Sequence, residues 1–145
     1  MDRSEVLAFL RSNKWAVQAS TSEAETPQAA VVGFAVTDAF EIVFDTLEST
    51  RKAKNLHANP SIAFVIGGLL DGDERTVQYE GTADFPQGEE LERVRAIYFE
   101  AFPDGRTRLC WPGITYVRVA PKWLRYSDFN LNPPLVAEFC FGEGS

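Results

Sequence analysis

The sequence is poor in the residues that most often carry metal or nucleophilic chemistry, with two cysteines, one histidine and one methionine in 145 positions. Cys110 and Cys140 have neither a zinc-ligand nor a redox spacing, and one possible pair is no disulfide framework. Both are expected to be inert thiols of the kind that free cysteine usually forms when buried. A histidine-rich metal site is excluded, and a Ser, His, Asp triad would have to be built on His57 alone. His57 is therefore expected to be a solvated or capping histidine near a helix end. Long apolar runs are also missing. No stretch approaches the roughly 18 residues that a membrane span requires, and Met1 to Glu5 do not open a charged segment followed by an apolar signal core, which predicts a soluble cytoplasmic protein. Positive charge is in deficit, 14 Lys and Arg against 21 Asp and Glu for a net charge of −7. That balance argues against non-specific binding to nucleic acid or to an anionic membrane. A phosphate-bearing ligand would have to be held by a local basic cluster against the global field.

What is present suits one domain spanning 1–145, with a hydrophobic content of 45% that is enough for a single core. Asp2 to Asn13 has the period of a short amphipathic helix, with Val6, Leu7, Phe9 and Leu10 on its apolar side. Lys14 to Ser20 alternates as a half-buried strand in which Trp15 is expected in the core. Gln28 to Thr37 and Glu41 to Asp45 read as two β runs joined by a hairpin connection and paired antiparallel. Ser49 to Asn59 reads as a helix with Ser49 as N-cap and Pro60 as its stop. Strands follow at Ser61 to Ile66 and Arg75 to Phe85, then a helix at Gln87 to Phe102. Two short strands, Thr115 to Val119 and Lys122 to Tyr126, flank Pro121, and Asp128 to Ser145 reads as a docked tail. Six or seven antiparallel strands with three helices, and no strand–helix alternation, predict a mainly β fold: a small β-barrel with peripheral helices.

The most informative stretch is Thr46 to Pro60, where Thr50, Arg51 and Lys52 fall in the first turn of the predicted helix and Lys54 just beyond. Cations there oppose the helix macrodipole, each by about 0.3–1 kcal/mol when exposed. The pattern makes sense if an anion sits at the helix start, on free backbone N–H groups, the Ser49 and Thr50 hydroxyls and the Arg51 and Lys52 side chains. The competing explanation is that Arg51 and Lys52 are solvated charges paired with Glu48.

The run Phe44, Asp45, Thr46, then Arg51, Lys52, Ala53, Asn55, Leu56, Asn59, Pro60 resembles the signature of the pyridoxamine 5′-phosphate oxidase-like, FMN-binding split-barrel superfamily. The likeness extends over most of the chain, from a leading helix to a closing strand pair with Trp123. It implies a six- to seven-stranded antiparallel split barrel acting as a homodimer, with FMN at the subunit interface. It also implies cofactor-binding roles residue by residue. Asp45 and Thr46 match positions against the flavin ring and ribityl chain, and Arg51 and Lys52 match the pair that grips the phosphate. Val31 and Val32, within Ala30 to Phe34, match the strand whose backbone lies along the ring. Thr76 and Gln78 match polar positions on the long strand, and Trp123 resembles an aromatic that packs at the flavin from the second subunit.

True pyridoxamine phosphate oxidases carry an Arg and a Lys on the strand matching Gln28 to Phe34 and an Arg and His pair near the carboxy terminus. This chain has neither. The resemblance therefore implies a smaller, general stress protein-type relative: an FMN-dependent oxidoreductase acting on an undefined small molecule, with a small organic or nicotinamide electron donor. Two alternatives remain open, a non-catalytic flavin-binding or sensing dimer and a relative that binds the deazaflavin F420, for which Arg106, Arg108 or Arg125 would meet the longer tail. Without the resemblance, Trp123 would be read as packing and Thr76 and Gln78 as a solvated strand face. Trp111 is assigned no function.

Overall fold

The computed structural model describes residues 1–142. It opens with helix α1, Arg3–Arg11, which starts where Asp2 accepts a hydrogen bond from the backbone of Glu5 while the Glu5 carboxylate accepts one from the backbone of Asp2. This reciprocal cap satisfies two of the free donors of the first turn. Then come β1 (Trp15–Thr21), β2 (Pro27–Gly33), β3 (Ala35–Val36), β4 (Ile42–Leu47), α2 (Arg51–Ala58), β5 (Ser61–Gly67), β6 (Arg75–Asp84), α3 (Gly88–Ala101), a 3-10 helix (Pro103–Cys110), β7 (Ile114–Asp128) and β8 (Leu135–Cys140).

All the strand pairings are antiparallel, and the sheet runs β2-β1-β5-β6-β7-β4-β3 with β8 added to β7. The two ends of that order, β2 and β3, are halves of one chain run separated by Phe34. The sheet therefore curls until its ends meet in a single segment, which is a barrel. The seal is partial: Ala35 and Val36 pair with Val43 and Ile42, whereas among the described residues Pro27–Gly33 pair only with β1. Beyond Val43, β4 pairs only with β7 among the described residues. The barrel is thus closed at one end and split along β2 and β4 at the other. The mainly β split barrel expected from the sequence is the observed architecture.

The interior is filled by alternate residues, with Phe44, Phe64 and Tyr79 in edge-to-face contact. The buried Tyr79 hydroxyl donates to the Phe40 carbonyl at 2.7 Å, so its polar end is satisfied.

Several local expectations are corrected. Trp15 is not core but 53% exposed, because β1 turns Ala16, Gln18 and Ser20 inward. The run 28–37 does not pair with 41–45 along its length; β1 takes β2, and only β3 reaches β4. Thr50, not Ser49, caps α2. The two strands around Pro121 are one, β7, which passes the proline through a register shift opposite Glu80 and Gly81. A proline can sit there because the bulge relieves it of a ladder bond. The expected tail contributes β8 to the sheet, and its last residues, 143–145, lie outside the described residues. Both cysteines are exposed free thiols, not buried ones.

Candidate functional site

The open end of the barrel is where α2 begins. Helix α2 leaves β4 after Leu47 and packs back on β1, where Asn55 Nδ2 donates to Ser20 Oγ at 3.2 Å and Asn59 Nδ2 to Thr21 Oγ1 at 2.8 Å. The start of α2, the unpaired edge of β4 and the unpaired edge of β2 therefore border one slit.

At the helix start, Thr50 Oγ1 accepts from the Ala53 backbone at 3.2 Å and donates to the Leu47 carbonyl at 2.8 Å. Its one proton is thereby used, so in the 3.1 Å contact with Thr46 the Thr46 hydroxyl is the donor. The Thr50 hydroxyl is a cap and has no proton left for an anion, which changes the part expected of it. What faces outward is charge. Arg51 is exposed, Lys52 is half-buried, and no residue of the first turn is acidic. Glu48, the carboxylate that could have neutralised them, is turned to His57 Nε2 at 3.0 Å.

Among the described residues, the cations with neither a carboxylate, a carbonyl nor an aromatic face are Arg51, Lys52, Lys54 and Lys122. Three of these four lie on α2. Burial lowers the Lys52 ammonium below the usual lysine range, against the opposing field of Asp45. A half-buried cation without a counter-ion is costly unless an anion meets it.

Two strands beside the slit carry buried polar atoms that have no hydrogen-bond partner among the described residues. Gln18 is fully buried on β1 with both side-chain polar atoms unpartnered, and Gln28 Oε1, opposite Ser20 on β2, is buried and unpartnered too. Each such atom costs about 1–3 kcal/mol unless something bonds to it. Sequence reasoning passed over both glutamines. Their signal, an amide on the inward face of a strand, becomes visible only once the face of β1 is known.

The remaining predicted residues fall in two other places. Val31, Gln78 and Trp123 lie on the outward face of the sheet, and Thr76, two residues before Gln78 on β6, shares its face. Pairing runs Val31, Val17, Val65, Gln78, Arg125, Glu138 across five ladders, so the face is apolar over β2, β1 and β5 and polar over β6 to β8. A depression of about 150 Å³ there is lined by Val17, Ala19, Val65, Gln78, Glu80 and Trp123. Val32 points the other way, into the core.

Asp45 also departs from the expected picture. Its carboxylate accepts from Arg108 Nε at 2.8 Å and from the Tyr98 hydroxyl at 3.1 Å, so it binds the 3-10 helix and α3 to β4. The Tyr98 hydroxyl is pushed up by burial and by Asp45. His57 stacks on Phe85 at 3.8 Å, as a packed, capped histidine would. Arg106 lies over the Phe99 ring and Arg125 pairs with Glu138, so each already has a partner. A cleft of about 650 Å³ between α1, β3 and α3 lies elsewhere. Its cations are engaged, Arg11 with Asp38 and Lys14 over two rings.

A model of the family described as pyridoxamine 5′-phosphate oxidase matches residues 3–127. A search of curated proteins finds no match to this sequence. Among solved structures, a heme-binding protein from Mycobacterium smegmatis superposes with a TM-score of 0.80 at 15% identity, over 97% of this chain and 59% of its own. A pyridoxamine 5′-phosphate oxidase-related, FMN-binding protein from Nostoc punctiforme gives 0.77 at 12% identity, over 97% and 91%. A conserved hypothetical protein from Mycobacterium tuberculosis gives 0.74 at 23% identity, over 100% and 95%. At these identities the likeness establishes the fold. That fold is used by proteins described as binding FMN and by proteins described as binding heme.

Proposed function

The chain belongs to the pyridoxamine 5′-phosphate oxidase family, and from that premise we propose that it binds FMN between two copies of itself and works as an FMN-dependent oxidoreductase on a small molecule. The observation that carries this reading is the start of α2: Arg51 and Lys52 stand at a helix N-terminus with no acidic residue in the first turn, and Glu48 is committed to His57. Backbone N–H groups and two cations converge there on the chemistry of a phosphate monoester. The unpaired backbone of β2 and β4 would offer donors and acceptors to a ligand along the slit.

Arg51 and Lys52 would hold the phosphate, and Thr46, fixed by Thr50, would hold the β4 wall of the slit in place. When bound, FMN supplies two-electron transfer between a donor and an acceptor. The apolar outward face of β1, β2 and β5, with Val31 at 61% and Val65 at 46% exposure, is the surface a second copy would cover. That would bring Gln78 and Trp123 against the partner.

The engagement of the single histidine, His57, by Glu48 and Phe85 weighs against an imidazole-ligated heme. The engagement of Arg106, Arg108 and Arg125 likewise weighs against a longer anionic tail of the F420 kind.

The test is equilibrium titration with FMN, followed by flavin fluorescence, with hemin titrated in parallel. The wild type is expected to take up one FMN per chain, and Arg51→Ala/Lys52→Ala is expected to lose at least about tenfold in affinity per cation removed, since a charge-assisted hydrogen bond is worth about 1.5–3 kcal/mol. No FMN uptake, or uptake indifferent to both substitutions, would contradict the reading. Hemin uptake in its place would replace it.

A further inference from the structure

On the inward face of β1, Gln18 is fully buried between Ala16 and Ser20 of its own strand. Its ladder partners, Ala30 on β2 and Phe64 on β5, carry no side-chain donor or acceptor. Both polar atoms of the Gln18 amide lack a partner among the described residues, and so does the buried Oε1 of Gln28 on β2. Gln28 is the ladder partner of Ser20 and the diagonal neighbour of Gln18 on the same face. Such neighbours lie about 7–8 Å apart, within reach of long side chains. The Ser20 hydroxyl accepts from Asn55 Nδ2 at 3.2 Å, which leaves its own proton to donate.

The group is therefore mixed and neutral: Gln18 Nε2 and Ser20 Oγ donate, and Gln18 Oε1 and Gln28 Oε1 accept. A buried ion would meet no opposite charge among these side chains, and an apolar guest would leave every one of them unsatisfied. A small neutral molecule that both donates and accepts suits the set, and water is the member of that class that buried polar groups ordinarily take up. Ala16, Ser20 and Ala30 keep the side chains beside the amide small.

We propose that the inner face of β1 and β2 is a hydration site, in which water bridges Gln18 and Gln28 and takes the Ser20 proton. Through Ser20 and Asn55 the site joins the β2 wall of the slit to α2. It goes beyond the flavin reading and stands whether or not α2 holds a phosphate.

A crystal structure of the protein as purified, at a resolution that shows ordered solvent, is the direct test. A solvent peak is expected about 2.7–3.2 Å from the Gln18 amide and from Gln28 Oε1. The two amides bonded directly to each other, a protein or flavin atom in that place, or no solvent peak would overturn the proposal.

Denaturant unfolding supplies a second readout, because the two states of the amide give opposite signs. An orphaned amide is a cost that Gln18→Met relieves, so the midpoint would rise. A bridged amide, once removed, leaves the water and Gln28 short of a partner. The midpoint is therefore expected to fall in Gln18→Met and in Gln28→Met, and the double variant to lose less than the two single losses combined. A rise in Gln18→Met, or losses that simply add, would overturn the proposal. The wild-type crystal structure keeps the test decisive if a methionine variant does not fold.

Discussion

At Lys52 two effects oppose each other. Burial favours the neutral amine, and the field of Asp45 favours the ammonium, with burial the larger. A phosphate monoester loses its second proton near about pH 6. FMN affinity should therefore rise from about pH 5 to 7 as the phosphate becomes a dianion. It should then fall on the alkaline side as free Lys52 loses its proton, starting below the range of an ordinary lysine. A guanidinium stays charged throughout. Lys52→Arg is expected to move that alkaline fall upward, measured as Kd against pH; an unmoved alkaline limb would take Lys52 out of the phosphate site. The same residue shows what one position reveals in a sequence. The unbalanced cations at Arg51 and Lys52 were legible because helix starts normally carry acids. The true state of Asp45 was not, since it depends on Arg108, 63 residues away, and on Tyr98, 53 residues away.

Helix α2 is held at its start by a chain of hydroxyls, Thr46 to Thr50 to the Leu47 carbonyl. Thr50→Ala removes the cap and is expected to cost about 1 kcal/mol of stability. It should lower the thermal midpoint by a few degrees and weaken FMN binding, both measurable on one sample; weakened binding with an unchanged midpoint would contradict the capping role. In the sheet, the bulge at Gly81 has no room for a methyl group. A Cβ there would lie 2.5 Å from the Ala120 carbonyl and 2.6 Å from Val119. The first neighbour is backbone and cannot swing away, so Gly81→Ala is expected to destabilise by about 1–3 kcal/mol in denaturant unfolding.

That bulge also explains why one long strand reads as two in the sequence. Pro121 is a strand breaker in the one-dimensional pattern, and the relief comes from Gly81 on the neighbouring strand. The face of β1 was misread for a related reason. Trp15, Val17 and Ala19 look like a core row, yet Ala16, Gln18 and Ser20 are the inward ones. Periodicity reports that a strand has two faces and cannot say which is wet when both are apolar enough to be covered. The three α-helices and the basic helix start needed no such distant information.

On the scale of the whole molecule, a net charge of −7 coexists with a patch where three cations lack partners among the described residues. The barrel also leaves a β1, β2 and β5 face with Trp15, Val31 and Val65 in water. The second feature predicts self-association. Val65→Glu places a carboxylate on that face, so it is expected to shift the sedimenting mass from two chains to one. It should also reduce flavin binding, because each site would lose its second wall. A mass unaffected by Val65→Glu would move the interface elsewhere. Enzyme and binding module separate at this scale too. Anaerobic addition of NADH or NADPH should bleach the bound flavin in an oxidoreductase that uses a nicotinamide donor, and a flavin that stays oxidised would favour the non-catalytic dimer.

The central claim is that the start of α2 holds the phosphate of FMN. It is met most directly by the visible absorption spectrum of the protein purified without added cofactor, followed by mass identification of what acid releases. The account predicts flavin bands near one equivalent per chain or on FMN addition, a released mass equal to that of FMN, and loss of both in Arg51→Ala/Lys52→Ala. A colourless protein that takes up no FMN, or a chromophore of another mass retained by the double variant, would contradict it.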